Sequence, residues 1–357
     1  MGLKKWVDES RPFLSMLMVQ VFGTVLQLLI RVVLSEGTFI FALVAYRHVV
    51  GAVCVAPFAF FLERGKGKKL SWLVCFWLFM NALTGISITM VFFYYGLRDT
   101  TASYAVNFLN LVPIVTFLFS IIAGIEKLQF GTKGGKVTVV GAILCVAGAL
   151  TISLYKGKAF YIGHHAAHHH VVIQKAKPNW TRGTLFLVSS CISCATWFLV
   201  QVKLCRLFPY KYWTTMLTCI IATMQATVVG LCMDRSKTSW WLGWNLQLIT
   251  IIYSGALATA ASFCLISWTV ANKGPTYASM FNPLSLIFVA ISEALFLGEA
   301  ITVGSLVGMF VIIVGLYSFL WGKRKESKVA ATEESISEIS NVEDFADHKS
   351  QRNLMGV

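Results

Sequence analysis

The sequence has few charged residues and almost no segment that would form a water-soluble domain. Asp, Glu, Lys and Arg together make up 13% of its 357 residues, whereas 57% are hydrophobic. Acids are the scarcest, with 16 carboxylates against 30 basic residues, and Glu293 is the one carboxylate that falls well inside a long apolar stretch. Such a chain lacks the polar surface of a soluble globular protein, so we expect it to lie in a membrane.

The sequence also lacks the motifs of several enzyme classes. No glycine-rich phosphate-binding loop is present, which argues against ATP-driven transport. The nine cysteines all fall inside apolar stretches, and the Cys191 and Cys194 pair has no second pair with which to complete a zinc site. A membrane-embedded enzyme would need His, Asp or Glu clustered at one depth, and only His48 and Glu293 are available. We therefore expect neither an enzyme nor a bound cofactor or metal.

Ten apolar stretches fill the sequence instead, and the mean hydropathy is +0.70. Each is long enough to cross a bilayer, whose hydrocarbon core takes about 20 helical residues to span. Backbone groups in lipid must bond internally, and these stretches do not alternate as barrel strands would, so all ten are predicted to be helices. The predicted spans are 13–34, 38–62, 72–97, 101–124, 136–155, 183–205, 212–233, 246–271, 275–298 and 301–321.

Basic residues are unevenly divided between the two sides of the predicted membrane. With the N-terminus in the cytosol, cytosolic segments near the membrane carry 17 Lys and Arg, and the opposite segments carry 8. This bias predicts that both termini are cytosolic and that the net charge of +14 reflects topology rather than nucleic-acid binding. The 156–182 loop, with five basic residues, runs against the trend. Because the tail carries no Glu-x-x-x-Leu-Leu sorting signal, we favour the plasma membrane over the vacuolar membrane.

The spans fall into two sets of five, which predicts a duplicated architecture. Shifting the sequence by 170 residues places Gly85 on Gly255 and Pro113 on Pro283. Because five is odd, the second copy must insert upside down, and inverted repeats of this kind are typical of secondary transporters with sites near the midplane. The predicted parts are a cytosolic N-terminus (1–12), a first repeat (13–155), a His-rich loop (156–182), a second repeat (183–321) and a disordered cytosolic tail (322–357).

Uncharged polar residues within the spans are the candidate substrate ligands, because polar groups at membrane depth are costly. Those of the first span fall within roughly a 60° arc, as do those of the fourth. Their donors and acceptors suit a polar, zwitterionic or carboxylated solute, and helix–helix packing is the alternative for each one. The candidates are Gln20, Thr24, Gln27, Asn81, Asn107, Asn110, Trp268 and Asn282.

Ionisable residues and prolines within the spans are candidates for coupling and for movement. Arg47 would serve as the counter-ion of a carboxylate and His48 as a proton carrier. The alternatives are that Arg47 holds helix ends through backbone carbonyls, that Arg31 snorkels to the interface, and that Glu293 lies too near a span end to act. Pro113 and Pro283 each remove a backbone hydrogen bond in mid-span and are predicted hinges.

Several short motifs stand in a fixed order along the chain, among them Tyr46-Arg47, Asn110-Leu-Val-Pro113, Glu126-Lys127, Lys273-Gly274-Pro275, Phe281-Asn282-Pro283 and Gly315-Leu316-Tyr317. In these motifs the chain resembles the plant EamA-type drug/metabolite transporters, in the family called walls-are-thin-related or "usually multiple acids move in and out". The resemblance extends from about residue 12 to 323 and implies ten helices in two EamA repeats. It also implies transport of amino acids, or related metabolites such as auxin, across the plasma or vacuolar membrane.

The sequence departs from the family's pattern at three positions. Met90 stands where the family often has Gln, Arg31 where it often has Lys, and Glu293 where it usually has a small residue. These departures bear on which solute is carried.

The sequence therefore predicts an all-α integral membrane transporter that moves a small polar metabolite, with amino acids as the first candidates, by alternating access. Its partners are that solute and the lipid bilayer, and no nucleic acid. One alternative is a nucleotide-sugar-type exchanger of the same superfamily, which would call for more basic residues deep in the cavity. Another is a non-transporting receptor or structural membrane protein. The polar residues within spans of both halves argue against this alternative.

Overall fold

The computed structural model describes the backbone of residues 2–35, 38–63, 70–100, 102–126, 132–155, 157–160, 180–236, 238–241, 243, 246–296 and 301–326. Residues 161–179 and 327–357 are not among them. The predictions made for the His-rich loop and for most of the tail therefore lie outside the described residues.

The described residues form ten helices, α1 to α10, in the order that the sequence predicts. The first five are α1 (Gly2–Ser35), α2 (Ile40–Leu62), α3 (Trp72–Ala82 and Thr89–Asp99, joined by a π-helical segment Leu83–Ile88), α4 (Ala102–Ile122) and α5 (Lys133–Leu154). The second five are α6 (Trp180–Leu207), α7 (Lys211–Met233), α8 (Leu246–Tyr253 and Ser262–Lys273, joined by a π-helical segment Ser254–Ala261), α9 (Pro275–Ser279 and Asn282–Phe296) and α10 (Val303–Glu326). Strands β1 (Ala159–Phe160) and β2 (Ile301–Thr302) form a two-residue antiparallel ladder.

Of the helices in the described ranges, eight are long and apolar enough to cross a membrane by length and composition. Among residues with described side chains, α4 contributes the shorter apolar stretch Phe108–Ile122, and α9 is interrupted at Met280 and Phe281. Side-chain caps fix the starts of two spans, since Ser71 Oγ accepts from Leu73 N and Thr132 Oγ1 accepts from Gly135 N, both at 3.1 Å. The fold is all-α, and its ten helices form two inverted five-helix repeats.

Equivalent helices of the two repeats pack against each other antiparallel. In the α2–α7 pair, Gly51 lies near Cys219, and Gly230, further along α7, lies near Phe41, earlier in α2. The first helix of each repeat packs on the third and fourth helices of the other repeat: α6 contacts α3 and α4, and α1 contacts α8 and α9. This pattern is that of a two-fold axis in the membrane plane, which the odd number of helices per repeat requires.

Glycines bring α5 and α10 into close backbone contact along their length, and we call these six residues the glycine seam. They pair in antiparallel order as Gly134 with Gly322, Gly141 with Gly315, and Gly148 with Gly308. A Cβ on Gly141 would lie 2.7 Å from the carbonyl oxygen of Gly315, and one on Gly148 would lie 2.8 Å from that of Gly308. Small residues allow such an approach in membranes, where dispersion contacts and not water exclusion hold helices together.

The two π-helical segments occupy equivalent positions in the repeats. Leu83–Ile88 of α3 contains Gly85, and Ser254–Ala261 of α8 contains Gly255, the two glycines that a 170-residue shift superimposes. A π-helical turn is rare, displaces the hydrogen-bond register by one residue and is frequent at functional sites. Its recurrence at one offset marks the middle of α3 and α8 as the place to look for a site.

Candidate functional site between the two repeats

The π-helical segment of α3 is held by serines of α6. Ser193 Oγ donates to the carbonyl oxygen of Thr84 at 2.9 Å, and Ser190 Oγ donates to that of Thr89 at 2.9 Å. The same Thr84 carbonyl also accepts from Thr89 Oγ1 at 2.6 Å. Hydroxyl groups of the second repeat thus bond to backbone carbonyls within and just after this segment.

The π-helical segment of α8 lies against the polar turn of α2. A Cβ on Gly255 would stand 2.7 Å from the carbonyl oxygen of Arg47, and one on Gly51 would stand 3.2 Å from Thr259 Cγ2. The backbones of α2 and α8 therefore meet where Arg47 and His48 project. This contact again joins the first repeat to the second.

His48 is fully buried, with one ring nitrogen satisfied and the other unpaired. Its Nδ1 lies 2.7 Å from the carbonyl oxygen of Val44, and because a carbonyl only accepts, we assign the hydrogen to Nδ1. In the neutral ring this makes Nε2 an acceptor, and Nε2 has no hydrogen-bond partner among the described residues. The His48 ring lies 6.4 Å from that of Phe263, which lies 5.9 Å from Trp197, so three rings connect α2 to α6 across α8.

Among the described residues, buried polar atoms without a hydrogen-bond partner recur on the helices around these rings. An unsatisfied buried polar atom costs about 1–3 kcal/mol, so native proteins retain few of them without a ligand, an ordered water or a functional reason. Arg47 is absent from the ion pairs formed among the described residues. The unsatisfied atoms include Arg47 Nε and His48 Nε2 of α2, Asn81 Oδ1 of α3, Asn110 Nδ2 of α4, Trp197 Nε1 and Gln201 Oε1 of α6, and Thr259 Oγ1 of α8. We call these seven residues, together with Phe263, the inter-repeat core.

Hydrogen bonds between α3 and α7 border the inter-repeat core. Asn81 Nδ2 donates to Thr218 Oγ1 at 3.2 Å, and Ser87 Oγ donates to Gln225 Oε1 at 2.7 Å. A cavity of about 20 Å³ lies next to them, lined by nine residues of α2, α3 and α7 that include Ser87 and Met90. Met90 is thus part of an apolar cavity wall in this chain.

The predicted substrate ligands are placed unevenly. Asn81 and Asn110 are buried in the inter-repeat core, and Gln20 is buried on α1. Thr24 is also buried, but its hydroxyl donates to the carbonyl oxygen of Gln20 at 2.8 Å within the same helix. Gln27 is exposed, Trp268 and Asn282 are half-buried, and the side chain of Asn107 lies outside the described residues.

The predicted coupling residues and hinges divide in the same way. Arg47 and His48 lie in the inter-repeat core, whereas the side chains of Arg31 and Glu293 are outside the described residues. Pro113 is buried inside the continuous helix α4. Pro283 is buried in the first turn of Asn282–Phe296, just after the interruption at Met280 and Phe281. The two prolines therefore differ in their local structure, and their role as hinges stays a prediction.

Sequence reasoning missed the aromatic and amide members of the inter-repeat core. Trp197 and Phe263 are apolar residues in apolar helices. Gln201 Nε2 donates a hydrogen bond to Ser267 Oγ of α8. The repeated glycines Gly85 and Gly255 were the available signal. They were interpreted as marks of duplication, and they also place the two π-helical segments.

The fit between Gly85 and Trp197 gives a testable prediction. A Cβ at position 85 would lie 2.5 Å from Trp197 Nε1, so Gly85→Ala should destabilise the protein by about 1–3 kcal/mol through overpacking. The double variant with Trp197→Leu should recover part of that stability because a smaller side chain clears the space. The check is the melting temperature of purified protein in detergent. Equal melting temperatures for the wild type and Gly85→Ala would contradict the packing described here.

The EamA-like transporter family model matches residues 11–154 and 181–321, which together cover most of the chain. Among curated relatives, a WAT1-related protein of Arabidopsis thaliana is 31% identical over 332 residues, covering 90% of this chain and 92% of the relative. A second WAT1-related protein of that plant is 33% identical, covering 91% of this chain and 90% of the relative. Protein WALLS ARE THIN 1, also from Arabidopsis thaliana, is 30% identical, with 87% and 82% covered.

A solved crystal structure shares the fold. It superimposes with a TM-score of 0.67 at 16% sequence identity, covering 89% of this chain and 99% of that one. At this identity the likeness concerns the fold alone.

Proposed function

The chain belongs to the EamA-like transporter family, and from this premise we propose that it carries amino acids or closely related small polar metabolites across a membrane by alternating access. That it is a multi-pass membrane transporter of the drug/metabolite superfamily follows from the family match and from its apolar helices. The solute class and the mechanism are the proposal.

One observation carries the proposal: among the described residues, two adjacent residues of α2 each hold a buried nitrogen without a hydrogen-bond partner, Arg47 Nε and His48 Nε2. Arg47 Nε is a donor suited to a carboxylate, and His48 Nε2 is an acceptor suited to an ammonium or hydroxyl group. An amino acid offers both groups a few ångströms apart. Unsatisfied polar atoms at membrane depth are costly, and a ligand that bonds to both nitrogens would satisfy them.

The remaining candidates fit a solute held between the repeats. Asn81, Asn110 and Thr259 add uncharged polar atoms without partners on α3, α4 and α8. Gln20, Thr24, Gln27, Asn107, Trp268 and Asn282 remain proposed ligands, and Arg31 and Glu293 remain proposed coupling groups. Pro113 and Pro283 remain the proposed hinges. Uncharged ligands on both repeats suit a site that faces each side of the membrane in turn.

A flux experiment with matched competitors tests the solute class. In a heterologous cell that expresses the protein, influx and efflux of a radiolabelled amino acid should exceed those of cells with an empty vector. Unlabelled amino acid should compete, whereas its decarboxylated amine and its deaminated acid should compete about tenfold less well, since each lacks one of the two charged groups. Absent flux for every amino acid tested, or equal competition by the amine, would contradict the proposal.

We also propose that both termini face the cytosol and that the protein resides in the plasma membrane. The support is the excess of basic residues in the segments that would then be cytosolic. Epitope tags before Lys4 and after Val357 should be accessible only in permeabilised cells, and a tag at Ala166 should be accessible in intact cells. A tag at Ala166 that stays hidden while the termini stain would reverse the assigned orientation.

A further inference from the structure

Acidic side chains at helix ends of the first repeat bind the starts of helices in the second repeat. They occur at both ends of the bundle. We call the end where α1 begins and α10 ends the terminal face, and the other end the opposite face. Glu63 and Glu126 follow α2 and α4 at the terminal face, and Asp99 ends α3 at the opposite face.

At the opposite face, Asp99 and Arg182 form a two-pronged ion pair between α3 and α6. Arg182 Nε donates to Asp99 Oδ2 at 2.6 Å, and Arg182 Nη2 donates to Asp99 Oδ1 at 3.0 Å. The Asp99 side chain is 3% exposed and that of Arg182 is 50% exposed. Paired, charge-assisted bonds to a buried carboxylate are stronger than ordinary surface ion pairs. We call this pair the opposite latch.

At the terminal face, Glu126 joins α4 to both α9 and α10. Its Oε1 accepts from Thr276 N at 3.2 Å, and its Oε2 accepts from Lys323 Nζ at 2.7 Å. Gly274 makes this possible with a φ of +88°, because a Cβ there would be strained and would lie 3.2 Å from Glu126 Oε1. We call Glu126, Thr276 and Lys323 the terminal latch. Glu63 adds a second tie at this face by accepting from Trp213 N at 3.1 Å, at the start of α7.

Each latch joins one repeat to the other at a single face, and both are formed in this structure. Tyr46 OH adds a tie at the opposite face by donating to the carbonyl oxygen of Trp240 at 2.8 Å. A solute site between the repeats reaches one side of the membrane when the repeats separate at that face. Separation at the opposite face must break the Asp99–Arg182 pair, and separation at the terminal face must break the bonds of Glu126.

We propose that the opposite latch and the terminal latch open in alternation, and that Asp99, Arg182, Glu126 and Lys323 are positioning residues of the transport cycle. This inference rests on the proposed alternating-access function. The structure is then the closed intermediate of that cycle, with both latches made. Weakening one latch shifts the population toward the state open at that face, and the other latch is consequently closed for a larger fraction of the time.

Hydrogen–deuterium exchange on the full-length protein in nanodiscs, read by mass spectrometry, tests this reciprocity without a solute. In Asp99→Asn, exchange should rise about fivefold or more at the end of α3 and the start of α6, the lower end of typical coupling between sites. It should fall around Thr276 and Lys323. Glu126→Gln should give the reverse pattern. The double variant of Asp99→Asn and Arg182→Gln should change exchange by less than the sum of the two single variants, because both changes break the same ion pair.

The matched control is Asp234→Asn. Asp234 lies at the opposite face, but its carboxylate accepts from Ser236 N and Ser239 Oγ of its own loop, at 2.8 Å and 2.5 Å. These bonds hold its pKa below the usual value. Its replacement should alter exchange only in that loop.

Two results would overturn the inference. One is a purely local rise in exchange in Asp99→Asn and Glu126→Gln, with no protection gained at the far face, which is what structural ion pairs would give. The other is a rise at both faces in either variant. Because the measurement needs no substrate, a failure to find amino-acid flux leaves it valid, and its own failure leaves the flux experiment untouched.

Discussion

Arg47→Gln should lower the affinity for the transported amino acid by roughly 10- to 100-fold while leaving the protein folded. The expected loss is that of a hydrogen bond between a charged donor and a carboxylate, about 1.5–3 kcal/mol. Arg47→Lys should fall in between, because it retains the charge but loses Nε. The measurement is the half-saturation constant of amino-acid flux, taken with protein whose surface amount has been quantified.

The stability of the same variant distinguishes a ligand-binding arginine from a structural one. Arg47 is half-buried and its Nε has no partner among the described residues, so Arg47→Gln removes a charged group that holds an unsatisfied donor. We therefore expect an unchanged or higher melting temperature together with the weaker affinity, as is common where a site is built at the expense of stability. A lowered melting temperature with unchanged affinity would mean that Arg47 holds the fold instead.

Gly141→Ala should have the largest effect on stability, about 3 kcal/mol or loss of folded protein. The added Cβ would lie 2.7 Å from the carbonyl oxygen of Gly315 and 2.8 Å from Phe319 Cα, both backbone atoms of α10. Side chains can rotate away from a new methyl group, but here two helices would have to separate along the glycine seam. The measurement is the yield and melting temperature of monodisperse protein.

The matched control for this variant is Gly23→Ala in α1. Nothing lies within 4 Å of a Cβ at position 23, so the change should be neutral or slightly stabilising, since alanine is the better helix former. If both variants were equally stable, the close contact of α5 and α10 would be refuted. If both were equally destabilised, the loss of stability would come from replacing any glycine in these helices and not from the contact of α5 with α10.

The architecture was predictable because the membrane imposes it on the sequence. Uninterrupted apolar runs such as 136–155 leave a helix as the sole way to satisfy the backbone, and the structure places α5 at Lys133–Leu154. The inverted arrangement followed from an odd number of spans per repeat. The predicted starts differ most at α1, which extends back to Gly2 through a polar segment without a hydropathy signal.

Local departures from the regular helix were not predictable from the pattern of residues. The π-helical segments of α3 and α8 contain small and hydroxyl residues that are common in any membrane helix. The segment of α3 bonds to Ser193 of α6 and places Gly85 against Trp197, and the segment of α8 places Gly255 against Arg47 of α2. These are contacts between distant parts of the chain. The interruption of α9 falls before Pro283 and not at it.

The site residues that sequence alone could indicate are the ionisable ones, because an ionisable side chain within an apolar span costs free energy and is therefore conspicuous. Arg47 and His48 stand out in an apolar span, and the structure places both in the inter-repeat core. Trp197 and Phe263 give no such signal, because an aromatic residue in a membrane helix is as common at the lipid surface as in a core. Their position next to His48 depends on how the repeats pack, which is tertiary information.

Counterflow in proteoliposomes tests the central claim, that a solute site between the repeats faces each side of the membrane in turn. Vesicles with purified protein are loaded with a high concentration of unlabelled amino acid and diluted into a trace of the labelled form. An alternating-access carrier should accumulate label transiently above its equilibrium level, and Arg47→Gln should reduce that peak at the same protein density. Label that only equilibrates, or a peak unaffected by Arg47→Gln, would contradict the account.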